Sequence, residues 1–293
     1  MIFDGKKLAA EILTRTEERA AELPRPPRIA VIMANETPAT RSYLAIKEKR
    51  ARDAGCRLEL IRLPETASAL ELRLAIDAVD ADAIVVQLPL PSGVSAKEVC
   101  DAIPLEKDAD VLSTVSRMRF EATSPESGGL RNPRMTLVPP VAGALAEILQ
   151  QAGIDPRGKR AVVLGDGWLV GKPCATWLTH AGADVIHTHD LTELRIADIV
   201  VSGMGAPYTI TPELLKEGAV LIDAGTSESG GKLVGDADPA CAPKCTLFTS
   251  VPGGVGPVAV AKLFENVVTL AERNTTNQNI RPRVLLGRSP RDE

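Results

Sequence analysis

An α/β fold in two domains, one of them a doubly wound, Rossmann-type nucleotide-binding unit, is what three observations in this sequence predict. Short apolar runs alternate with amphipathic stretches along most of the chain, the pattern of parallel strands joined by helical crossovers. An apolar run leads straight into glycines at Gly165, Gly167 and Gly171, a strand–turn–helix arrangement suited to a dinucleotide. The length, 293 residues with 44% hydrophobic and 25% charged, accommodates two ordinary globular cores. Aromatic residues make up only 3%, so those cores have to be built from Ala, Val, Leu and Ile.

The elements follow in order. Leu8, Ile12 and Leu13 sit among charged residues over 5–23, an amphipathic helix ended by Pro24, Pro26 and Pro27. The run RIAVIMA (28–34) is a buried-type strand, 40–54 a helix, 57–63 an alternating strand, 68–79 a helix, and AIVVQL (83–88) another strand. Between Val111 and Leu137 the periodicity is lost. Ser124 to Pro133, rich in Ser, Gly, Pro and Asn, reads as a flexible loop, and a helix over 141–152 links the domains. After the glycine turn and its helix, strands are expected at 184–188, 198–202, 220–224 and 245–249, and a helix over 257–273. The polar tail from Asn274 has no periodicity and is expected to be mobile.

Bulk properties exclude several classes of function. A net charge of −4 argues against a nucleic-acid partner, which needs a basic excess. Asp4, Lys6 and Lys7 interrupt the start of the chain, so no signal peptide is read, and no apolar run approaches a membrane span. The five cysteines are scattered without a CxxC pair, so reduced thiols in a cytoplasmic chain are expected and a metal site is not. His180, His187 and His189 lack metal-ligand spacing, and a structural role is expected for them.

In the glycine turn, Gly165 permits the tight bend and Gly167 lets backbone approach a pyrophosphate. The helix that follows offers free amides and a positive dipole end. The spacing is G-x-G-x-x-x-G rather than G-x-G-x-x-G. Asp190 lies roughly 25 residues beyond Gly165, where an acid either hydrogen-bonds a ribose diol or simply solvates a turn. Leu191 and Thr192 follow it and no arginine stands beside it, which favours NAD over NADP. Tyr43 and Lys47 are four apart on the predicted 40–54 helix and share a face. That spacing suits an aromatic wall beside a proton-handling lysine, and equally suits surface packing.

Several stretches together resemble the methylenetetrahydrofolate dehydrogenase/cyclohydrolase family. They are VPGGVGP (251–257), VQLPLP (86–91), the Tyr43-x-x-x-Lys47 helix, KDAD (107–110), GKLVGDAD (231–238) and KEGAVLIDAG (216–225). The resemblance runs from Phe3 to about Val268. It implies a folate-binding catalytic domain over 1–143 with 257–293, the last helix returning, and a Rossmann domain over 144–256, with the substrate in the cleft between them. It further implies NAD(P)-dependent oxidation of 5,10-methylenetetrahydrofolate, hydrolysis of the methenyl product to 10-formyltetrahydrofolate, and a homodimer.

Residue by residue, the resemblance makes Tyr43 the ring that packs on folate, Lys47 the lysine of the hydrolytic step, Gln87 its positioning partner, and Asp110 the carboxylate that pairs with the pterin edge. Leu88, Pro89, Pro252, Gly253, Gly254 and Pro257 would line the substrate. Gly165, Asp166, Gly167, Trp168, Val170 and Gly171 would form the cofactor turn. Asp190 would stand at the ribose, Gly205 and Pro207 near the nicotinamide, and His189 and Thr226 would also belong to the cofactor site. Lys107 and Asp108 read as structural.

The departures from the family pattern cluster. They are Val111-Leu112-Ser113, Ser116 to Arg119, Pro139 to Ala142, Ser250, Val258-Ala259, Trp168 and Asp190-Leu191. Drift around unchanged chemistry explains them, and so does a specialised paralogue that oxidises a different one-carbon adduct or keeps one activity.

Overall fold

The computed structural model describes residues 1–123 and 136–280, with backbone alone at 38–39 and 277–280. Helix α1 (Gly5–Ala21) is capped by Asp4, whose carboxylate accepts from the Lys7 amide. Strand β1 (Arg28–Met33), helix α2 (Pro38–Asp53), strand β2 (Arg57–Arg62), helix α3 (Ala69–Asp77) and strand β3 (Ala83–Val86) follow. The strands form a parallel sheet in the order β2-β1-β3. The chain therefore leaves β1 to one side and comes back on the other, which opens a crevice at the carboxyl end of β1.

Two helices follow, α4 (Ala96–Cys100) and α5 (Thr114–Glu121). Helix α5 occupies the segment where no periodicity was legible, and its burial explains why. Val115 and Met118 are exposed while Ser116 and Phe120 are buried, so the apolar pattern does not mark the inner face. Helix α6 (Pro140–Gln151) leads into β4 (Arg160–Leu164), α7 (Gly171–His180), β5 (Asp184–Thr188), β6 (Ile199–Ser202) and β7 (Val220–Asp223). A hairpin of β8 (Ser227–Ser229) and β9 (Lys232–Val234) precedes β10 (Leu247–Thr249).

The second sheet is parallel throughout, in the order β10-β7-β6-β4-β5. Its connections are shorter than repeated strand–helix units would give. Only 3-10 turns, Leu191–Ile196 and Pro212–Leu214, join β5 to β6 and β6 to β7. Helix α8 (Val255–Ile280) returns to pack on α1 and α6. It runs past residue 273, so Asn274–Ile280 is helix rather than the start of an irregular tail. Thr275 and Thr276 hydroxyls donate to Ala271 O and Glu272 O, which accommodates polar residues in that last stretch. The loop expected at Ser124 to Pro133 and the tail over 281–293 lie outside the described residues.

Strand alternation divides the cores. Ile29, Val31 and Met33 of β1, with Ala161 and Val163 of β4, face an interior shared with α1, α6 and α8. Ala30 and Ile32 face α3 and α4, and Val162 and Leu164 face the 3-10 side of the second sheet. At the other end of the molecule Ile2 bridges to Phe248, so the first residues extend the second sheet beyond β10.

Candidate active site

Helix α2 starts from a reciprocal cap. The Thr40 amide donates to Thr37 Oγ1 (3.1 Å) and the Thr37 amide to Thr40 Oγ1 (2.7 Å). That cap fixes the helix which carries Tyr43, 37% exposed, and one turn later Lys47. Lys47 Nζ donates to Gln87 Oε1 at 2.8 Å. Gln87 stands just beyond β3, is 8% exposed, and donates its Nε2 to Leu88 O (2.7 Å). With one end of its amide tied to backbone, its oxygen is left to face the lysine.

Asp110 supplies the charge that meets this pair. The turn before it is anchored beside β3, where Ile84 N donates to Lys107 O (2.7 Å). Asp108 is wholly buried and accepts from the Leu112 and Ser113 amides. Lys107 Nζ donates to Val79 O, so Lys107 and Asp108 both act as scaffold for the turn. Burial pushes the Asp110 carboxyl up, against the Lys47 charge and with that of Asp108. Burial holds the Lys47 ammonium below the usual lysine range, against the pull of Asp110.

Val111 follows Asp110 with φ +57, a left-handed conformation unusual for a β-branched residue. The Asp108 carboxylate bonds described above hold the chain there. Ser113 then caps α5. This run of departures from the family pattern thus turns the chain from the Asp110 loop into a helix.

The second cluster lies where β4, β6 and β7 end, on the crevice side of the second sheet. Gly165 takes φ +97, and a Cβ there would meet Gly203 O at 2.8 Å. At Gly171 a Cβ would lie 1.5 Å from Gly165 O. At Gly167 it would meet nothing within 4 Å. Protein packing thus explains Gly165 and Gly171, whereas Gly167 opens onto space available to a ligand. Helix α7 has no side-chain cap at its N-terminus, but its free amides are fewer than expected. Lys172 N donates to Gly167 O and Cys174 N to Val170 O, and Pro173 has no N–H. The helix start therefore offers Gly171 N and its positive dipole end. This turn fits a dinucleotide phosphate.

Histidines hold the turn's edge. His187 Nε2 donates to Gly165 O (2.9 Å), and His189 Nε2 donates to Asp166 Oδ2 (2.7 Å). The His189 bond keeps the Asp166 carboxyl below the usual range. Asp190 accepts from the Thr192 amide and hydroxyl through Oδ1, so half of its carboxylate already serves the turn.

The loop 203–207 is fixed by Asp236, a residue for which no role was read from the sequence. Its buried carboxylate accepts from Ser202 Oγ (2.6 Å), Met204 N (2.8 Å) and Ala206 N (2.7 Å). Asp223 in turn accepts from the Asp236 and Ala237 amides. The sequence signal was the pair of stretches VLIDAG and GDAD, legible as motifs but silent about the bonds between them. Gly205 takes φ +69, and Pro207 and Thr226 are exposed on adjoining loops. Pro252, Gly253 and Gly254 form the turn before α8, and Pro257 lies in its first turn. A Cβ on Gly5 would strike Gly254 O at 1.8 Å, which ties this turn to the start of α1. No described contact joins it to Lys47.

A desolvated lysine and carboxylate at one parallel sheet, and a glycine turn opening a helix at another, define a two-domain α/β enzyme of the nucleotide-binding class. Residues 3–110 match the tetrahydrofolate dehydrogenase/cyclohydrolase catalytic domain, and residues 139–275 match the NAD(P)-binding domain of the same family. The bifunctional protein FolD of Moorella thermoacetica is 40% identical over 286 residues, covering 93% of this chain and 99% of that protein. Crystal structures of the Campylobacter jejuni bifunctional enzyme FolD (30% identity) and of Trypanosoma brucei FolD in complex with NADP and an inhibitor (32%) each superpose with a TM-score of 0.85. Each covers 94% of this chain, which spans 99% and 98% of theirs. The chain belongs to the tetrahydrofolate dehydrogenase/cyclohydrolase family.

Among the described residues no helix is long and apolar enough to cross a membrane.

Proposed function

We propose that this chain oxidises 5,10-methylenetetrahydrofolate to 5,10-methenyltetrahydrofolate with a nicotinamide dinucleotide and hydrolyses that product to 10-formyltetrahydrofolate. The observation that carries the reading is the Lys47–Gln87 hydrogen bond of 2.8 Å beside Asp110. Lys47, whose ammonium burial holds below the usual lysine range, is the group placed to exchange a proton as water adds to the methenyl carbon. Gln87 fixes the direction from which its Nζ acts. Tyr43, on the same face of α2, offers a ring for a flat heterocycle to lie on. Asp110 is a carboxylate suited to an amidine-like N–H edge. A bound dinucleotide supplies the hydride acceptor; Gly165 to Gly171 and the 203–207 loop would hold it.

NAD is the preferred form in this proposal. Asp166 and Asp190 place carboxylates at the carboxyl ends of β4 and β5, and Leu191 and Thr192 bring no cation to a 2′-phosphate. The five cysteines are all free and buried, which supports a cytoplasmic setting. The implied homodimer belongs to the same proposal, and light scattering that gives about twice 31.1 kDa tests it.

The test is an absorbance assay for the methenyl product, run in parallel with NAD and NADP. Turnover with a lower KM for NAD is expected. Folded protein inert with both cofactors rejects the activity, and equal or better use of NADP rejects the preference.

A further inference from the structure

Two departures from the family pattern, separated by some fifty residues in the chain, meet in space. The guanidinium carbon of Arg117, on α5, lies 4.2 Å from the centroid of the Trp168 ring, in the glycine turn. A second contact follows on the same face of α5, where the Phe120 and His180 rings stand edge-on with centroids 6.0 Å apart. Helix α5 begins just after Asp110 and ends against α7. It therefore connects the loop bearing the proposed folate anchor to the proposed cofactor turn.

The turn's anchorage is uneven. Gly165 and Gly171 interlock through backbone, and the Val170 side chain lies where a Cβ on Gly203 would fall, at 2.3 Å. Between these anchors come Gly167, open to space, and the exposed Leu169. Among the described residues, Arg117 is what ties the Trp168 side chain to α5. Arg117 itself donates to Thr114 Oγ1 (3.2 Å), its Nε has no hydrogen-bond partner, and no described carboxylate pairs with it. Its charge is thus spent on the indole face, a cation–π contact.

We propose that Arg117 is a positioning residue for the dinucleotide: by holding Trp168 it presets the middle of the glycine turn before the cofactor arrives. The inference rests on the dinucleotide reading of that turn. Arg117 acts through Trp168 and contacts no reacting atom.

The experiment titrates the full-length protein with NAD and measures steady-state kinetics for wild type, Arg117→Ala, Arg117→Lys, Trp168→Phe and the Ala/Phe double variant. Arg117→Ala is expected to raise the Kd and KM for NAD about fivefold, within the cation–π range, while kcat changes less than about twofold. Arg117→Lys restores part of the affinity, because it keeps the cation and loses the planar face. The double variant falls no further than the worse single variant. Arg117→Ala also shifts the indole emission by a change that is absent in the Trp168→Phe background. Unchanged affinity in Arg117→Ala, or losses that simply add in the double variant, overturns the proposal while the dinucleotide reading stands. Wild-type protein that binds neither NAD nor NADP overturns both.

Discussion

Lys47 is held by side chains; the glycine turn is anchored first by backbone at Gly165 and Gly171, with histidine and Arg117 side chains at its edge. Around the lysine, a capped helix, a strand-end glutamine and a buried turn converge on one ammonium, and the surroundings are dry enough to move its protonation. Around the turn, glycines interlock by their lack of Cβ atoms, and the charged groups at its edge remain exposed. The first arrangement specifies a reactive group. The second specifies a surface whose shape matters more than its side chains. A substitution in the lysine cluster should therefore cost chemistry, and one in the turn should cost stability or cofactor affinity.

The largest effect expected is on chemistry. Lys47→Ala should lower methenyl hydrolysis by about 10² to 10⁴-fold, the scale of acid–base catalysis, with NAD affinity and melting temperature nearly unchanged. A stopped-flow hydrolysis assay beside a thermal melt checks it; a large loss of stability would erase the contrast between the two regions.

Within the turn the glycines should separate. Gly171→Ala, with its Cβ 1.5 Å from Gly165 O, should cost upward of about 3 kcal/mol in denaturant unfolding. Gly167→Ala, which faces open space, should leave stability within about 0.5 kcal/mol and weaken dinucleotide binding. Equal stabilities for the two variants would contradict the packing described for the turn.

Asp223 provides the pH test. Burial pushes its carboxyl up to about 6 from an ordinary value of 3.8. The native state therefore holds the proton more tightly than the unfolded chain. Relative to Asp223→Asn, wild type is at its best below about pH 3.8 and loses stability as pH rises to about 6. The total is about 3 kcal/mol and flattens above that. Urea unfolding of both proteins between pH 4 and 8 measures the slope, and a difference that grows with pH would reverse the sign.

The smallest effect is on the lysine's foundation. Thr37→Ala removes the α2 cap at a cost of about 1 kcal/mol, with a modest drop in hydrolysis. Chemical denaturation reads the first, and the same activity assay reads the second.

Much of this was legible from the chain because apolar alternation and glycine spacing are local signals. The strands fell within a few residues of their expected positions, and the family segments named the lysine, its glutamine and the carboxylate. Helix α5 was not legible, since its buried positions include Ser116 while Val115 and Met118 face outward. The Arg117–Trp168 contact and the Asp236 bonds were invisible for another reason: each joins segments roughly thirty to fifty residues apart in the chain that meet only in the folded molecule. Asp190 shows the opposite limit. Its position was legible, whereas the Thr192 bonds that occupy one of its oxygens were not.

The bridge from Ile2 to Phe248 fastens the front of the chain to the β10 border of the second sheet. Any rocking of one half against the other then pivots near that border. The β4 end, three strand spacings away or about 14 Å, becomes the tip of the lever. A rotation of about 10° carries it roughly 2.5 Å at that spacing, enough to make or lose a van der Waals contact at the glycine turn while the stitched border scarcely moves.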